Sequence, residues 1–524
     1  MLIKHISQND KVFIQIDSDC DGYTSAATLI NYLNRLFPGF VQNNISYRLH
    51  EGKAHGLILD TIPTDVKLVI APDSSSNDYE VHEQLAQRGV DVLVIDHHEA
   101  DHVSEYACVI NNQLCDYPTK SLSGVGMVYK FCSYIDSLLN VDYADDYLDL
   151  VALGLIADMM DLRDFETRHL ITLGISQIRN PYFKGMVVKN SFSLGDTITP
   201  FGIAFYVAPY INAVTRCGTQ DEKLILFESM LDHRAYEMIN STKRGCKGQK
   251  ETRVEQACRN CTNIKNRQGK SRDASLETIE RLIKTRELLN NKIIIVTLDK
   301  AHMIDRNLTG LAATKIANEY QRPTLILNES RQEDGTILWE GSGRNCNQSS
   351  FENFREFLDE SGYFEYAEGH EGAFGVGIAD DDIPHFIAYS NIVLQNFDFT
   401  PKYYIDFEYD INTLTSADIL NIADLDGLWG QCIEEPYVLI KNVKLTAGNL
   451  SLLKGTTIKI NLKDDINLIK FKSSESEYNN LYTDMGCVTV NIVGRFQKNS
   501  WNGRVNPQIL IEDYEIVDKS LYYF

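Results

Sequence analysis

Residues Val12 to Ser25, VFIQIDSDCDGYTS, join a short apolar run to three acids at alternating positions, Asp17, Asp19 and Asp21. In extended chain a period of two puts those carboxylates on one side of the tip. Three such groups cannot be desolvated together unless positive charge sits among them, and oxygen ligands suit a divalent cation. Three more places repeat the chemistry. Asp73 follows the apolar run KLVIA, Asp96-His97-His98 follow DVLVI, and Asp158 follows YLDLVALGLI. An unpaired carboxylate beyond so apolar a helical face is costly, and at a helix carboxyl end it opposes the dipole. An acidic solvated turn explains any one of these places; their joint occurrence points to a cation centre.

The elements that must position these groups follow from the pattern. Val12–Ile16 reads as a buried strand, ended by Gly22, and 23–37 as a helix with Thr24 or Ser25 as its cap. Strands are expected at 45–49, 67–71 and 91–95, with a helix at 80–88 before the last. Each strand is cut off by Asp or His, and the three ends at 17–21, 73 and 96–98 are what an open parallel α/β sheet needs to focus ligands on one rim. Ser121 to Gly126 (SLSGVG) opens another helix whose backbone N–H groups suit an anion.

With 524 residues, 44% hydrophobic and 23% charged, the chain is long enough for several folded domains. It lacks an apolar run of membrane-spanning length, and residues 1–10 have no secretion-type apolar stretch, so a cytoplasmic protein is expected, in the host cytoplasm if the source is viral. The eleven cysteines suit a reducing compartment; Cys258 and Cys261 form a lone CxxC that reads as ordinary helix positions. A net charge of −23 argues against a broadly nucleic-acid-coated surface. The charge is uneven, however: Lys243 to Arg286 holds thirteen Lys and Arg against five Asp and Glu. That excess is either one phosphate-facing element or a solvated basic helix pair.

Beyond a helical stretch at 227–289, strands at 292–298 and 324–327 flank a helix at 308–319, a second α/β unit. A strand at 337–340 runs into a Gly-rich loop, Gly341-Ser342-Gly343-Arg344-Asn345, whose arginine suits bidentate phosphate binding. From about Tyr404 the pattern changes to short β runs, at 437–443, 456–461, 466–471, 487–493 and 507–512, fitting an OB-like barrel. Phe471, Phe496 and Trp501 are candidates to stack bases, with Lys498 and Arg504 beside them, although a barrel aromatic is more often core.

DSDCDG, then PD, then DHH, then LGLIAD, resembles the DHH phosphoesterase superfamily. APYINAVTR (208–216), GSGR (341–344) and EGHEGAFG (368–375) are similar to the corresponding segments of RecJ single-strand exonucleases, over nearly the whole chain. The resemblance implies an α/β DHH domain with a doubly wound parallel sheet at 1–226, a helical connector at 227–290, a DHH-associated domain at 291–400 and an OB-like barrel at 401–524. It implies Mn²⁺ or Mg²⁺, as two ions held by Asp19, Asp21, Asp73, His97 and Asp158, with Asp73 bridging. Asp96 would orient the histidine pair, His98 would bond the scissile phosphate, and Asp17 would serve as outer ligand or support. Substrate would meet His55, Asn212, Arg216, Ser342, Arg344 and His370.

The sequence departs from the pattern at Gln15, where related two-metal enzymes often carry histidine, and at His55, Tyr210, Val214, Thr215 and Glu368. Gln15 puts the second ion in question; the others bear on substrate length and polarity. The expected activity is 5′ to 3′ exonucleolytic release of mononucleotides from single-stranded DNA in repair, recombination or replication. A single-strand-binding protein or a helicase would be the protein partner. Two alternatives stand beside it: a DHH phosphodiesterase of short oligonucleotides or cyclic dinucleotides, and a non-catalytic replication scaffold.

Overall fold

The computed structural model describes all residues except 53, 247, 333, 464, 502, 503 and 522–524, with the side chains of 501 and 521 also undescribed. The chain forms two compact units, one of residues 1–265 with 405–524, the other of residues 266–404.

The first unit is built on a five-stranded sheet of β1 (Val12–Ile16), β2 (Ile45–Leu49), β3 (Leu68–Pro72), β4 (Asp91–Asp96) and β5 (Cys108–Asn111), ordered β2-β1-β3-β4-β5. All its pairings are parallel. Every residue of β1 and β3 is buried, as expected where helices cover both faces of a parallel sheet and the strands are continuous apolar runs. Its first seven helices are α1 (Leu2–Ser7), α2 (Cys20–Leu36), α3 (Pro38–Asn44), α4 (Tyr79–Gln87), α5 (Gly124–Leu139), α6 (Leu148–Ala157) and α7 (Phe165–Ser176). Leu150, Val151, Leu153 and Leu155 bury α6 on all sides, so this short helix is a core element.

Helix α2 starts three residues earlier than its spacing suggests, because Asp19, rather than Thr24 or Ser25, is the cap; its carboxylate accepts the Gly22 amide at 2.9 Å. Asp21 therefore lies in the first helical turn. The three acids are not on one side of an extended tip, and what gathers them is the strand-to-helix turn.

The stretch after residue 227 is less helical than its composition suggests. A short hairpin pairs Met238–Asn240 with Lys250–Thr252 before a long helix, Arg253–Thr285. Cys258 and Cys261 are buried free thiols on its first half, packed on the main core, with Cys261 Sγ 3.2 Å from the Tyr182 hydroxyl. The basic excess is partly consumed internally: Arg253 pairs with Glu228 and Glu237, and Arg259 with Glu251.

Residues 405–524 contribute a seven-stranded sheet, with strands Phe407–Asp410, Val438–Leu445, Gly486–Trp501, Arg504–Leu521, Asn467–Phe471, Thr457–Asn461 and Leu450–Leu453 in that spatial order. Two of these, Phe407–Asp410 and Leu450–Leu453, are absent from the sequence reading. Phe496 is 2% exposed and part of the barrel core, which removes it as a base-stacking residue, and Lys498 is engaged by Asp424 and Asp426. Phe471 is 57% exposed and stays available; the Trp501 side chain lies outside the described residues.

The second unit carries a mixed sheet ordered Phe364–His370, Ala373–Ala379, Ile337–Arg344, Thr324–Arg331, Ile294–Leu298. Gly341 to Arg344 are not a loop. They are the end of a strand paired on both sides, where a Cβ on Gly341 would come within 1.9 Å of the Ile326 carbonyl oxygen. Only glycine permits that approach.

Candidate active site

The carboxyl ends of β1, β3 and β4 and the end of α6 meet at one place. Asp73 closes β3 in the left-handed region, φ +69°, with its amide still bonded to the Ile95 carbonyl at 2.7 Å, and Ser75 follows at φ +81°. Left-handed conformations at two non-glycine residues mark a turn held by its surroundings. Gly124 explains the closeness: a Cβ there would lie 2.2 Å from Asp73 Oδ1. Gly154 does the same for Asp21, leaving room for its Oδ1 where a Cβ would lie 2.4 Å away.

His97 Nε2 stands 3.3 Å from Asp73 Oδ1 and 3.4 Å from Asp158 Oδ2. Potential ligand atoms fall into three overlapping sets, each within 4.8 Å: Asp17, Asp19 and Asp73; Asp21, His97 and Asp158; and Asp73, Asp96, His97 and His98. Asp73 is shared by two sets and His97 by two. The α5 amino end, expected to meet an external anion, is instead satisfied by Asp21, whose Oδ1 accepts the Ser123 hydroxyl at 2.9 Å and the Val125 amide at 3.3 Å.

Electrostatics mark the same spot. Burial, and then the neighbouring acids, hold the Asp73 carboxyl well above the ordinary range and raise Asp21 and Asp19. Burial with repulsion from Asp21 and Asp19 pushes Asp158 up to about 8. His97, desolvated and facing His98, falls to about 4 and is a neutral imidazole. Asp73 Oδ1, Asp21 Oδ2 and His97 Nε2 are buried atoms with no hydrogen-bond partner among the described residues. Orphaned buried acceptors around a neutral imidazole fit divalent cations, because a cation supplies the charge and the bonds this cluster lacks. The donor set is oxygen-rich, which favours Mn²⁺ or Mg²⁺ over a thiolate-preferring ion.

Asp96 sits outside this ring and braces it. Its Oδ1 accepts the His97 amide at 2.7 Å and the His98 Nδ1–H at 2.7 Å, and its Oδ2 accepts the Ser76 amide at 3.1 Å. Burial opposes its ionisation, but the His98 bond and charge overcome it and hold Asp96 at about 2. In return Asp96 lifts His98 to about 9, so a half-exposed imidazolium borders the site. Asp17 is occupied differently, with His55 Nδ1 2.8 Å from its Oδ2.

One residue here escapes sequence reading. His50 is 3% exposed, both its ring nitrogens lack partners among the described residues, and Nε2 lies 4.0 Å from Asp17 Oδ1. The signal is the register: Ile16 pairs with Leu49, so Asp17 and His50 are the next positions on neighbouring parallel strands. Gln15, at the questioned position, is buried and donates to the Arg48 carbonyl at 3.2 Å, which makes it a sheet residue.

Of the substrate candidates, Asn212 lies on the helix Ala208–Cys217 with its Oδ1 accepting the Cys20 amide at 3.2 Å, and so steadies the acidic turn; Arg216 is exposed at that helix's last turn. Ser342, Arg344 and His370 belong to the second unit. There Arg344 and His370 both register with Ala373 from opposite sides, and Ser342 Oγ bonds Thr309 Oγ1 at 2.9 Å. Arg344 is bonded to the Gly343 and Phe374 carbonyls at 2.6 and 3.3 Å, and its guanidinium crosses Gly310, where a Cβ would lie 2.5 Å from Nη2.

A parallel sheet with Asp, Asp and Asp-His-His at its strand ends defines a DHH-family enzyme, and residues 11–155 match the DHH family N-terminal domain model, with 405–513 matching the RecJ OB domain model. The chain is 36% identical to YorK, a SPbeta prophage-derived protein of Bacillus subtilis designated a single-strand DNA-specific exonuclease, over 98% of this chain and 89% of that one. It is 25% identical to the single-stranded-DNA-specific exonuclease RecJ of the same organism, over 99% of this chain and 63% of that one. The fold matches Thermus thermophilus RecJ, solved in complex with Mn²⁺, at a TM-score of 0.70 and 18% identity, over 98% of this chain and 70% of that one. The protein belongs to the RecJ-like single-strand-specific exonuclease family.

Proposed function

We propose that the protein hydrolyses single-stranded DNA from its 5′ end to mononucleotides, using two divalent cations, Mn²⁺ or Mg²⁺, in the acidic cluster. The observation that carries this is the sharing of Asp73 and His97 between overlapping ligand sets, a layout suited to two adjacent cations. Asp19, Asp21, Asp73, His97 and Asp158 would hold them. Bound there, the cations supply Lewis acidity toward the phosphodiester and lower the pKa of a water.

The chain's own residues do the rest. Neutral His97 offers a lone pair at Nε2, and Asp96 fixes the backbone that carries it. The His98 imidazolium, held charged by Asp96, presents a positive donor to a phosphate oxygen. His55 bonds Asp17 and keeps that carboxylate in place, with His50 buried beside it. Arg216, Ser342, Arg344 and His370 are the groups proposed to grip the strand and its 5′-phosphate, and the barrel's exposed Phe471 to stack a base. A role in repair, recombination or replication, with a single-strand-binding protein or helicase alongside, is part of the same proposal.

The test compares a 5′-phosphorylated single strand of about 30 nucleotides with a dinucleotide under Mn²⁺, product sizes being followed with label at either end. Mononucleotides released first from the 5′ end support the proposal. Cleavage of the dinucleotide alone would favour the short-oligonucleotide phosphodiesterase, and no hydrolysis of any phosphodiester would favour the scaffold.

A further inference from the structure

A small turn of the C-terminal barrel region packs against the DHH core at Leu162. Gly430 and Ile433 bond to each other as an isolated β-bridge, with Cys432 in the left-handed region at φ +63°, and Ile433 packs against the DHH core. The Gln431 carbonyl accepts the Leu162 amide at 3.1 Å. Leu162 is 3% exposed, and a Cβ on Gly430 would fall 2.4 Å from its Cδ1, so any larger residue there would have to displace this buried side chain. On the other side of the contact, Asp161 is clamped by Arg163, with Asp161 Oδ2 2.6 Å from Nη2, and also bonds Cys432.

Leu162 is four residues from Asp158. Asp158 caps α6, Met159 takes a left-handed turn at φ +56°, and Met160 returns its amide to the Leu155 carbonyl at 3.1 Å. After that bond the segment 161–163 makes one short turn, the Asp164 amide donating to the Asp161 carbonyl at 3.3 Å and the Arg163 amide to Asp161 Oδ1 at 2.8 Å, before Asp164 caps α7. Leu162, at the middle of that turn, is held in addition by residues 430 and 431.

We propose that the turn Gly430–Ile433 is a positioning element for Asp158, so that the barrel region completes the cation site from which it is more than two hundred residues distant in sequence. Leu162, Gly430 and Gln431 are positioning residues; none is a ligand. The consequence is a physical link between strand binding on the barrel and the geometry of Asp158. The inference rests on the reading of Asp21, His97 and Asp158 as cation ligands.

The experiment is calorimetric titration of Mn²⁺ into the full-length protein, without substrate, for the parent, Gly430→Ala, Leu162→Val and the double variant. Gly430→Ala crowds the contact and Leu162→Val makes room. Each single change should weaken Mn²⁺ binding by roughly tenfold, the scale seen when outer supports of a metal site are lost, and the double variant should recover most of it. Ile458→Val, inside the barrel core, controls for plain destabilisation and should lower the melting temperature with Mn²⁺ affinity unchanged. Mn²⁺ affinities of the single variants within twofold of the parent would overturn the proposal. So would an equal loss in Ile458→Val, or no recovery in the double variant. A parent that binds no Mn²⁺ would instead remove the cation reading on which it rests.

Discussion

At the scale of single residues, the site is a set of groups kept in states that water would not favour. Asp73 is buried, left-handed and faced by other acids, so in metal-free protein it costs stability. Asp73→Asn should therefore abolish hydrolysis, by at least about a thousandfold, yet raise the melting temperature in EDTA at pH 8, worth ~1–2 kcal/mol. Thermal melts beside initial rates check both halves. The pH sign follows from Asp158. An acid held at about 8 in the folded chain, and near the ordinary value when unfolded, binds a proton only in the folded state between those limits, so metal-free stability falls as pH rises from about 4 to 8. Mn²⁺ must displace that proton. Its affinity should climb by about a decade per pH unit per proton released below pH 8 and level off above it, with proton release measured by titration in buffers of different ionisation enthalpy. A flat affinity between pH 6 and 8 would contradict the raised Asp158.

At the scale of elements, two glycines set how closely helices approach the acids. Gly154 on α6 leaves Asp21 and Thr24 their places, since a Cβ there would lie 2.4 and 2.5 Å from Asp21 Oδ1 and Thr24 Oγ1. Gly124 on α5 makes the matching space at Asp73. Gly154→Ala should destabilise the protein by about 1–3 kcal/mol and weaken Mn²⁺ binding together. A surface change such as Gly269→Ala, on the long helix with nothing within 4 Å, should do neither. Chemical denaturation and metal titration of the two variants separate these outcomes. The early start of α2 belongs here as well: Asp19 serves as cap and as candidate ligand at once, which the apolar spacing of the helix could not reveal because spacing reports the buried face and not the first turn.

At the scale of the whole molecule, charge and connectivity decide how a strand is held. A net charge of −23, with Arg253 and Arg259 already paired internally, reduces the cations open to phosphates. Binding of single-stranded DNA by an inactive Asp73→Ala variant should accordingly show a shallow salt dependence, a log–log slope of about −2 to −4, corresponding to roughly three to six neutralised phosphates. Fluorescence anisotropy across a salt series gives the slope, and a value steeper than about −6 would mean a basic track that the ion pairs argue against. The long helix Arg253–Thr285 runs from the first compact unit into the second, so the boundary between them at residue 265 falls inside one element. Composition marked this stretch as basic; only the coordinates show which cations are spent on neighbouring acids.

Much of the site was legible because its chemistry is punctuated. Apolar runs that stop at Asp73 or at Asp96-His97-His98 announce a parallel sheet and its ligand rim, and the order of those stops carries the family. The sequence by itself thus determined the fold class, the strand ends and the acids that gather there, since buried strands leave a period and a composition that need no neighbour to be read. Tertiary structure alone decided what those residues touch. His50 joins Asp17 through strand register, Phe496 turns into the barrel core, Arg344 lies in a strand instead of a loop, and Leu162 is seized by a turn from the far end of the chain. Each of these depends on a contact between separate segments of the chain, and no local pattern encodes which segment the partner lies on.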